Sequence, residues 1–429
     1  MKILFIHNYY QYAGGEDNVV SAELNLLSAN GHQVELWSVD NKDLPSGLRA
    51  KISTALNTTY SQSSKQTALT KLRAFKPDVV HVHNFFPQLS PSIYDACLEL
   101  NIPAVQTLHN YRLMCPGAML MRNGKICEQC VTGSPYQAVL HRCYKGSSLG
   151  SLVVANMVAT HRKLGTWQHK VTRYIALTHF AKAKFIEAGF PADKIAVKAN
   201  FVNDPLQGIT PLERITPSFG LFVGRLSAEK GLNTLLKAWA LLEQLNKVKT
   251  NSAVYDVSDV PDISDVAKDN NSAQLTERVH KEDTLTLPIL IKVAGTGPLA
   301  ESVTHQANIE PLGLQTPAQI NVLMQQAAFL ILPSEWYEGF PLVLVEALAH
   351  GLPIIASNLG SMADIIKHGE TGLLFEPGNA EDLAIKIKWL LDNPKEATRL
   401  GFNARQAYLN NYTAEENLKQ LLGVYQSSL

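Results

Sequence analysis

The chain has 429 residues, 46% of them hydrophobic, so it is too long for one ordinary core and has enough apolar side chains for about two or three domains. Lys plus Arg number 38, as do Asp plus Glu, so no overall charge favours nucleic acid or an anionic membrane as a partner.

The amino-terminal segment begins with an apolar run, Met1 to Ile6, that turns polar at His7. It lacks the length of a signal-peptide core and a small-residue cleavage site, so we expect a strand. The longest other apolar stretch, 149–159, is too short to span a bilayer. Without a secretion signal, we expect a cytoplasmic protein whose five cysteines are thiols or metal ligands.

The first half of the chain alternates strands with helices. The strand at 2–7 is followed by a loop containing Gly14 and Gly15 and by a helix over 17–30. Further strands are predicted at 33–39, 77–83, 103–109 and 173–178, with helical stretches between most of them. This alternation indicates a parallel sheet that helices cover on both faces.

The same alternation restarts near residue 219 and predicts a second doubly wound domain. The expected strands are 219–224, 289–294, 328–332, 352–356 and 373–375. The expected helices are 231–244, 317–327, 342–350 and 380–391.

Composition suggests where the domains begin and end. Prolines at 205, 211 and 217 mark a join near 203–218, which gives domains at 1–203 and 204–402. A polar stretch at about 246–286 has weak periodicity and is expected to be a mobile, solvated insertion. The segment 403–429 is helical in pattern, and it could pack back across the hinge.

The most informative motif runs from Pro333 to Gly351, where a strand ends, a loop turns and a helix begins. Pro341 suits the first helical turn and Gly351 suits the position after the helix. The helix therefore points free amides and its positive end into the loop that contains Gly339 and Phe340, a place where diphosphates bind.

Two carboxylates belong to this motif. Glu346 lies in a helix that is apolar on every face, so it needs a partner, which could be the hydroxyls of a ribose or a structural salt bridge. Glu338 lies in the preceding loop, where it could accept hydrogen bonds from sugar hydroxyls or simply complement the helix dipole.

A second motif, 224–231, also joins a strand to a helix and contains Arg225 and Lys230. These cations could stabilise a leaving diphosphate, whereas the alternative is an exposed run of charge. A glycine-rich turn at Gly295 follows the next strand; alone it is weak support, but it would lie at the same edge of the sheet.

Together these motifs resemble those of glycosyltransferase family 4, retaining enzymes with the GT-B fold of two Rossmann-like domains facing each other across a cleft. Glu338 and Glu346 match the family's E-x7-E signature, and 224–231 matches G-R-x-x-x-x-K-G. The loop at Gly14 and Gly15 resembles the family's amino-terminal glycine loop. The resemblance covers the chain apart from 246–286.

The resemblance assigns roles to several of these residues. It implies that Glu338 contacts the donor sugar, that Glu346 holds the ribose and that the Arg225/Lys230 pair holds the diphosphate. It also implies a histidine beside the reacting sugar, here His109, which could otherwise be an ordinary polar strand end. The remaining expected donor contacts are Gly15, Gly295, Gly339, Phe340 and Leu342.

No Asp-x-Asp motif occurs near a strand end, so we expect a donor site that works without a divalent cation.

The four cysteines between 115 and 143 have the spacing C-x11-C-x2-C-x12-C, namely Cys115, Cys127, Cys130 and Cys143. Structural zinc, free thiols and a disulfide are the alternatives. Cys97 falls in a helical stretch and is expected in the core.

The sequence thus predicts a hexosyltransferase that uses a nucleotide sugar bound by the carboxyl domain, with polysaccharide or glycoconjugate synthesis as its setting. The acceptor, a glycan, a lipid-linked sugar or a small molecule, would bind the amino domain. The helix at 149–163, apolar and then basic, could lie on the inner face of a membrane or simply pack in the core. The rival functions are a nucleotide-sugar epimerase or hydrolase of the same fold and a non-catalytic nucleotide-sugar-binding protein.

Overall fold

The computed structural model describes residues 1–11, 14–44, 47–207, 219–252, 290–304 and 306–429. Within these ranges the chain forms two parallel six-stranded sheets, each covered by helices, and one short hairpin. The expected α/β fold of two Rossmann-like domains is confirmed.

The first domain is built on a sheet of strands in the spatial order β2-β1-β3-β4-β7-β8, all parallel. Its strands are β1 (Lys2–Tyr9), β2 (Gln33–Asp40), β3 (Val79–Val82), β4 (Ala104–Leu108), β7 (Arg173–Ala176) and β8 (Ile195–Val197), with a separate hairpin of β5 (Met121–Arg122) and β6 (Lys125–Ile126). Its helices are α1 (Gly15–Ala29), α2 (Leu48–Thr59), α3 (Gln62–Phe75), α4 (Ser92–Glu99), α5 (Gln129–Thr132), α6 (Gln137–Leu140), α7 (Ser148–Lys163), α8 (Thr166–His169) and α9 (His179–Glu187).

The second domain has the spatial strand order β11-β10-β9-β12-β13-β14, again parallel. Its strands are β9 (Phe219–Val223), β10 (Leu290–Ala294), β11 (Ile309–Gly313), β12 (Phe329–Leu332), β13 (Ile354–Ser357) and β14 (Leu373–Phe375). Its helices are α10 (Leu232–Ser252), α11 (Pro317–Gln326), α12 (Leu342–Ala349), α13 (Gly360–Ile365) and α14 (Ala380–Asp392).

Local sequence explains the clearest boundaries. Thr316 caps α11 and forms a reciprocal capping box with Gln319, while Pro317 occupies the first turn, where its missing N–H costs nothing. Gly351 follows α12 at a φ of 60°, the left-handed region that glycine adopts without strain. Strands β8 and β11 were not predicted, because each is short and only its first residue is buried.

The end of the chain differs from the expectation of one helix over 403–429. Helix α15 (Pro394–Asn411) runs through the expected boundary at 402/403 and packs on α12, so it belongs to the second domain. Arg405 of α15 pairs with Asp204 through two contacts of 2.8 and 2.7 Å. After a break at Tyr412 and Thr413, α16 (Ala414–Gln426) packs its Leu421, Val424 and Tyr425 into the core of the first domain.

Most of the expected insertion at 246–286 lies outside the described residues, as does 208–218 of the expected join. Helix α10 continues to Ser252, so the start of that stretch is helical. None of the described helices has the length and apolar character needed to cross a membrane.

Candidate active site

The strand orders place the motifs. In each sheet, successive strands are added outward first on one side and then on the other. Ligands of such folds bind at the carboxyl ends of the two central strands between which this change occurs. In the second domain the pair is β9 and β12, which are followed by the motifs at 224–231 and 333–341. In the first domain it is β1 and β3, which lead into the glycine loop and His83.

The two motifs of the second domain meet in an ion pair. Lys230 donates from Nζ to Oε1 of Glu338 at 2.6 Å, and the hydroxyl of Ser334 donates to the same oxygen at 2.7 Å. Glu338 is buried, whereas a fifth of the Lys230 side chain is exposed. The Lys230 ammonium also lies over the Trp336 ring, 5.5 Å from its centroid. Glu338 is therefore held in place before any ligand arrives.

Close backbone approaches explain the glycines of these loops. A Cβ atom at Gly231, whose φ is 72°, would overlap the carbonyl oxygen of Pro333. A Cβ at Gly295, whose φ is 145°, would overlap the carbonyl oxygen of Gly224. These glycines let the loops pack edge to edge, which brings 224–231, 295–298 and 333–341 to one rim of the cleft.

The other expected donor residues lie along the same rim. Arg225 is exposed directly after β9, and Leu342 begins α12 with the free amides of the helix start around it. Phe340 is half-buried and faces Tyr412 at 6.4 Å between ring centroids. Glu346 is half-buried one turn into α12, and burial raises the pKa of its carboxyl above the usual value.

The two domains touch at the predicted catalytic residues. A Cβ on Gly339 would overlap the carbonyl oxygen of His109, so the loop 333–341 and the end of β4 are in contact. A Cβ on Gly15 would lie 3.5 Å from the side chain of Leu342, so the glycine loop faces the start of α12. Ser361 donates to the Gly339 carbonyl at 3.1 Å and lies 3.1 Å from the hydroxyl of Thr178 in the first domain. The structure thus brings together residues of the two domains that are more than 180 positions apart.

His109 is half-buried and lines a pocket in the first domain. Residues that line this pocket lie in β4 or directly after β3 and β4, and they include Asn84, Phe86, Gln106 and Arg112. His109 Nε2 is 3.0 Å from Nδ1 of His83, with the two rings stacked at 5.3 Å. Burial, with help from His7 and Lys198, lowers the pKa of His109 to about 3, so the ring is neutral.

Sequence reasoning missed a carboxyl group in the cleft. Glu16 accepts a hydrogen bond from the Tyr10 hydroxyl at 2.8 Å, and Asn110 donates to the same hydroxyl at 3.1 Å. Burial raises the pKa of Glu16 to about 8, although the hydrogen bond from Tyr10 opposes the shift. Its position in the sequence could have indicated this role, because Glu16 directly follows the glycine loop and its neighbour Asn110 directly follows His109.

The four clustered cysteines lie in one segment around the β5–β6 hairpin. All five cysteines of the chain are free thiols in the structure, so the disulfide alternative is not supported. Cys130 lies near the other three, whose charges add to burial in raising the pKa of its thiol to about 12. In the described ranges, the side-chain group whose ligand atoms all lie within 4.8 Å of one another is Glu23, His81 and His83, not the cysteines. Cys97 is buried in the core, as expected.

Helix α7 is anchored by the residues expected to make it basic. His161 is buried and bonds to Thr166 and to the carbonyl of Thr59, while Arg162 donates to the carbonyls of Cys130 and Gly133. His161 and Arg162 therefore hold the carboxyl end of the helix to its neighbours, which favours the packing alternative for these two side chains, whereas Lys163 is exposed. The core contacts of α7 come from Val154, Ala155, Met157 and Val158.

Comparisons with known proteins agree with this architecture. Residues 13–204 match the family model described as Glycosyltransferase Family 4, and residues 288–407 match Glycosyl transferases group 1. The MMP alpha-(1->4)-mannosyltransferase of Mycolicibacterium hassiacum is 30% identical over 158 residues, which are 35% of this chain and 38% of that protein. The D-rhamnosyltransferase WbpZ of Pseudomonas aeruginosa is 30% identical over 132 residues, 29% of this chain and 35% of that one. The alignments thus span less than two thirds of these relatives' own lengths.

Solved structures show the same fold over the whole chain. Anabaena Alr3699/HepE, in complex with UDP, superposes with a TM-score of 0.64 at 16% identity and covers 100% of both chains. A glycosyltransferase from Rickettsia africae gives a TM-score of 0.64 at 17% identity and covers 99% of this chain and 97% of its own. With the two family models matching most of the chain, and its motifs meeting at one cleft, the protein belongs to glycosyltransferase family 4.

Proposed function

We propose that this protein is a retaining hexosyltransferase that moves a sugar from a nucleoside diphosphate sugar to a hydroxyl of a glycan or lipid-linked acceptor in cell-surface polysaccharide or glycoconjugate synthesis. The observation that carries the proposal is the Lys230–Glu338 pair beside the start of α12, in a loop that contacts His109 of the opposite domain. A cation, free helix amides and a carboxylate then surround one point in the cleft.

The donor fits the charges of this rim. Lys230, Arg225 and the amino end of α12 are all positive, and a diphosphate placed between them would be neutralised as it leaves. Glu338 is acceptor-only when ionised, so it suits the hydroxyls of the transferred sugar. HepE, which shares this fold, was solved with UDP and with UDP-glucose, which supports a nucleotide-sugar donor.

The proposed step balances without a protein nucleophile. The acceptor oxygen bonds to the anomeric carbon as the bond from that carbon to the phosphate oxygen breaks, and the electron pair leaves on the diphosphate. The acceptor proton passes to a phosphate oxygen on the same face, which gives retention. The protein's contribution is to position both substrates and to stabilise the leaving charge.

The first test is thermal unfolding of the purified protein with a panel of nucleotide sugars, followed by transfer assays with the donor that stabilises it. An anomeric assignment of the product by NMR tests retention. Stabilisation by one donor and an α-linked product from an α-linked donor are expected. Hydrolysis or epimerisation without any glycosylated acceptor would favour the rival enzymes, and binding without turnover would favour a sensor.

The first question about metals is whether sugar transfer requires a divalent cation. We propose that transfer needs no divalent cation, because Lys230 and Arg225 supply the positive charge at the leaving group. Turnover should therefore persist in EDTA, and a requirement for Mg²⁺ or Mn²⁺ would contradict this proposal.

For the cysteine segment we propose structural zinc held by Cys115, Cys127, Cys130 and Cys143, four free thiols of one irregular region that would lose their protons and draw together around the ion. One zinc per chain is expected by metal analysis, and Cys130→Ser should lose it while Cys97→Ala retains it. Metal-free protein purified without chelator would leave free thiols as the correct interpretation.

We propose peripheral membrane association through a face built from α6 and the start of α7. Leu140 and Leu149 are 76% and 77% exposed, and Leu152 is also exposed. Arg142 and Lys145 are exposed in the connection between these two helices, which pack together. Flotation with anionic vesicles should fall in Leu149→Ser but not in Leu314→Ser, a leucine equally exposed in the second domain.

A further inference from the structure

A row of buried polar side chains leads from the core of the first domain to His109. Lys198 donates to Oε1 of Glu23 at 2.6 Å, and Oε2 of Glu23 lies 3.7 Å from Nε2 of His83. Nδ1 of His83 is in turn 3.0 Å from Nε2 of His109. Lys198, Glu23 and His83 are each at most 3% exposed, so the row is shielded from water until it reaches His109.

The carboxylate determines which nitrogen of His83 carries the proton. Glu23 Oε2 and His83 Nε2 have no hydrogen-bond partner in the described structure, and they face each other at slightly more than hydrogen-bond distance. Two lone pairs facing each other in a buried site would be costly, whereas an N–H pointing at a carboxylate oxygen is favourable. His83 therefore carries its proton on Nε2.

The proton of His109 follows from that of His83. Burial and neighbouring cationic groups hold the pKa of His83 well below its usual value, so the ring is neutral and Nδ1 has a lone pair. At 3.0 Å this lone pair needs a donor, and Nε2 of His109 is the atom that faces it. His109, which is also neutral, then keeps its own lone pair on Nδ1.

We infer that Lys198, Glu23 and His83 are positioning residues that hold His109 in the Nε2–H form, so that His109 presents a hydrogen-bond acceptor, Nδ1, to a substrate hydroxyl in the cleft. The inference rests on the proposed function in that His109 is assigned to the reacting sugar. The proton arrangement itself does not depend on turnover. Sequence motifs do not reveal it, because the four residues come from α1 and from the ends of β3, β4 and β8.

A metal ion is the alternative occupant of this cluster, since ligand atoms of Glu23, His81 and His83 lie within 4.8 Å of one another. Three contacts argue against it. The Lys198 ammonium already neutralises Glu23, and both ring nitrogens of His81 are bonded, Nδ1 to the Tyr425 hydroxyl and Nε2 to the Thr107 hydroxyl, at 2.7 Å each. Hydrogen bonding therefore accounts for these side chains.

The substitution Glu23→Gln tests the inference because it should move the ring proton of His83, and then that of His109, to the other ring nitrogen. Lys198 must donate to the side-chain oxygen, so the amide NH₂ takes the place of Oε2 and donates to His83 Nε2. His83 then carries its proton on Nδ1 and donates to His109 Nε2, which moves the His109 proton to Nδ1. The cleft would face a donor in place of an acceptor.

The experiment is a long-range ¹H–¹⁵N correlation spectrum of the full chain with ¹⁵N-labelled histidine, in which protonated and lone-pair ring nitrogens have distinct shifts. Wild type should show a protonated Nε2 and a lone pair on Nδ1 for His109. Glu23→Gln should exchange the two, and kcat should fall at least about tenfold with KM for the donor less affected. His83→Phe, which removes the acceptor but keeps a ring, should give averaged shifts for His109.

The matched control is Asp17→Asn, which alters another buried carboxylate–histidine contact of the same domain, His7 to Asp17 at 2.8 Å. It should leave the His109 nitrogens as in wild type. A His109 proton on Nδ1 in the wild type, or unchanged shifts in Glu23→Gln, would overturn the inference, as would a metal ion lost on substitution of His83. Correct shifts without any transfer activity would instead reject the proposed function.

Discussion

Removing the Lys230 ammonium tests how the proposed donor site is held together. In Lys230→Met the stem can still pack over Trp336, but among the described residues the buried Glu338 carboxylate keeps the Ser334 hydroxyl as its one hydrogen-bond partner. Breaking a fully buried ion pair costs about 3–5 kcal/mol. Because a fifth of the Lys230 side chain is exposed, water can reach the pair and hydrate the remaining carboxylate in part. We therefore expect a smaller loss, about 2 kcal/mol, in the free energy of unfolding.

A double-mutant cycle with Glu338→Gln isolates the pair. The uncharged amide can still accept from Ser334 and needs no counter-ion, so Lys230→Met should cost only about 0.5 kcal/mol in that background. Urea unfolding of the four proteins should therefore give a coupling energy of about 1.5 kcal/mol. Lys419→Met, which breaks an exposed pair with Glu416, serves as the control and should change stability by less than about 0.5 kcal/mol.

The same variant reports on catalysis. If Lys230 stabilises the leaving diphosphate, Lys230→Met should lower kcat by about 10²–10³-fold, equivalent to about 3–4 kcal/mol of transition-state stabilisation. Equal costs of Lys230→Met in both backgrounds would refute the argument that Lys230 neutralises Glu338. Undiminished turnover in the folded variant would refute its role at the leaving group.

Two more substitutions probe the cleft. Gly339→Ala would push a methyl group into the His109 carbonyl and should lower kcat at least about tenfold in steady-state assays. Gly423→Ala, where the added Cβ would meet open space, should leave kcat unchanged. Because burial raises the pKa of Glu16 to about 8 from 4.5, the folded state holds this proton more tightly than the unfolded state, and stability is lost as pH rises between those values. Glu16→Gln should therefore gain stability relative to wild type from pH 5 to pH 9 in urea titrations; a constant difference would contradict the shift.

The sequence alone determined the architecture and located the loops 224–231, 295–298 and 333–341 at the ends of strands. Alternating strands and helices predicted two parallel sheets, because a strand buried on both faces is a continuous apolar run and a helix cap has recognisable residues. The motifs around Lys230 and Glu338 were found because glycines and prolines mark the loops where strands end. Short strands such as Ile195–Val197 escaped prediction, since three residues leave too little periodicity to detect.

Tertiary structure decided which of these residues meet. Strand order placed 224–231 beside 333–341, and domain contact brought Gly339 against His109. It also showed that Arg162 anchors a helix that its sequence made look basic, and it joined Lys198, Glu23 and His83 into one row. Such contacts depend on distances between elements far apart in the chain, and those distances follow from how the sheets and helices pack, which local sequence patterns do not encode.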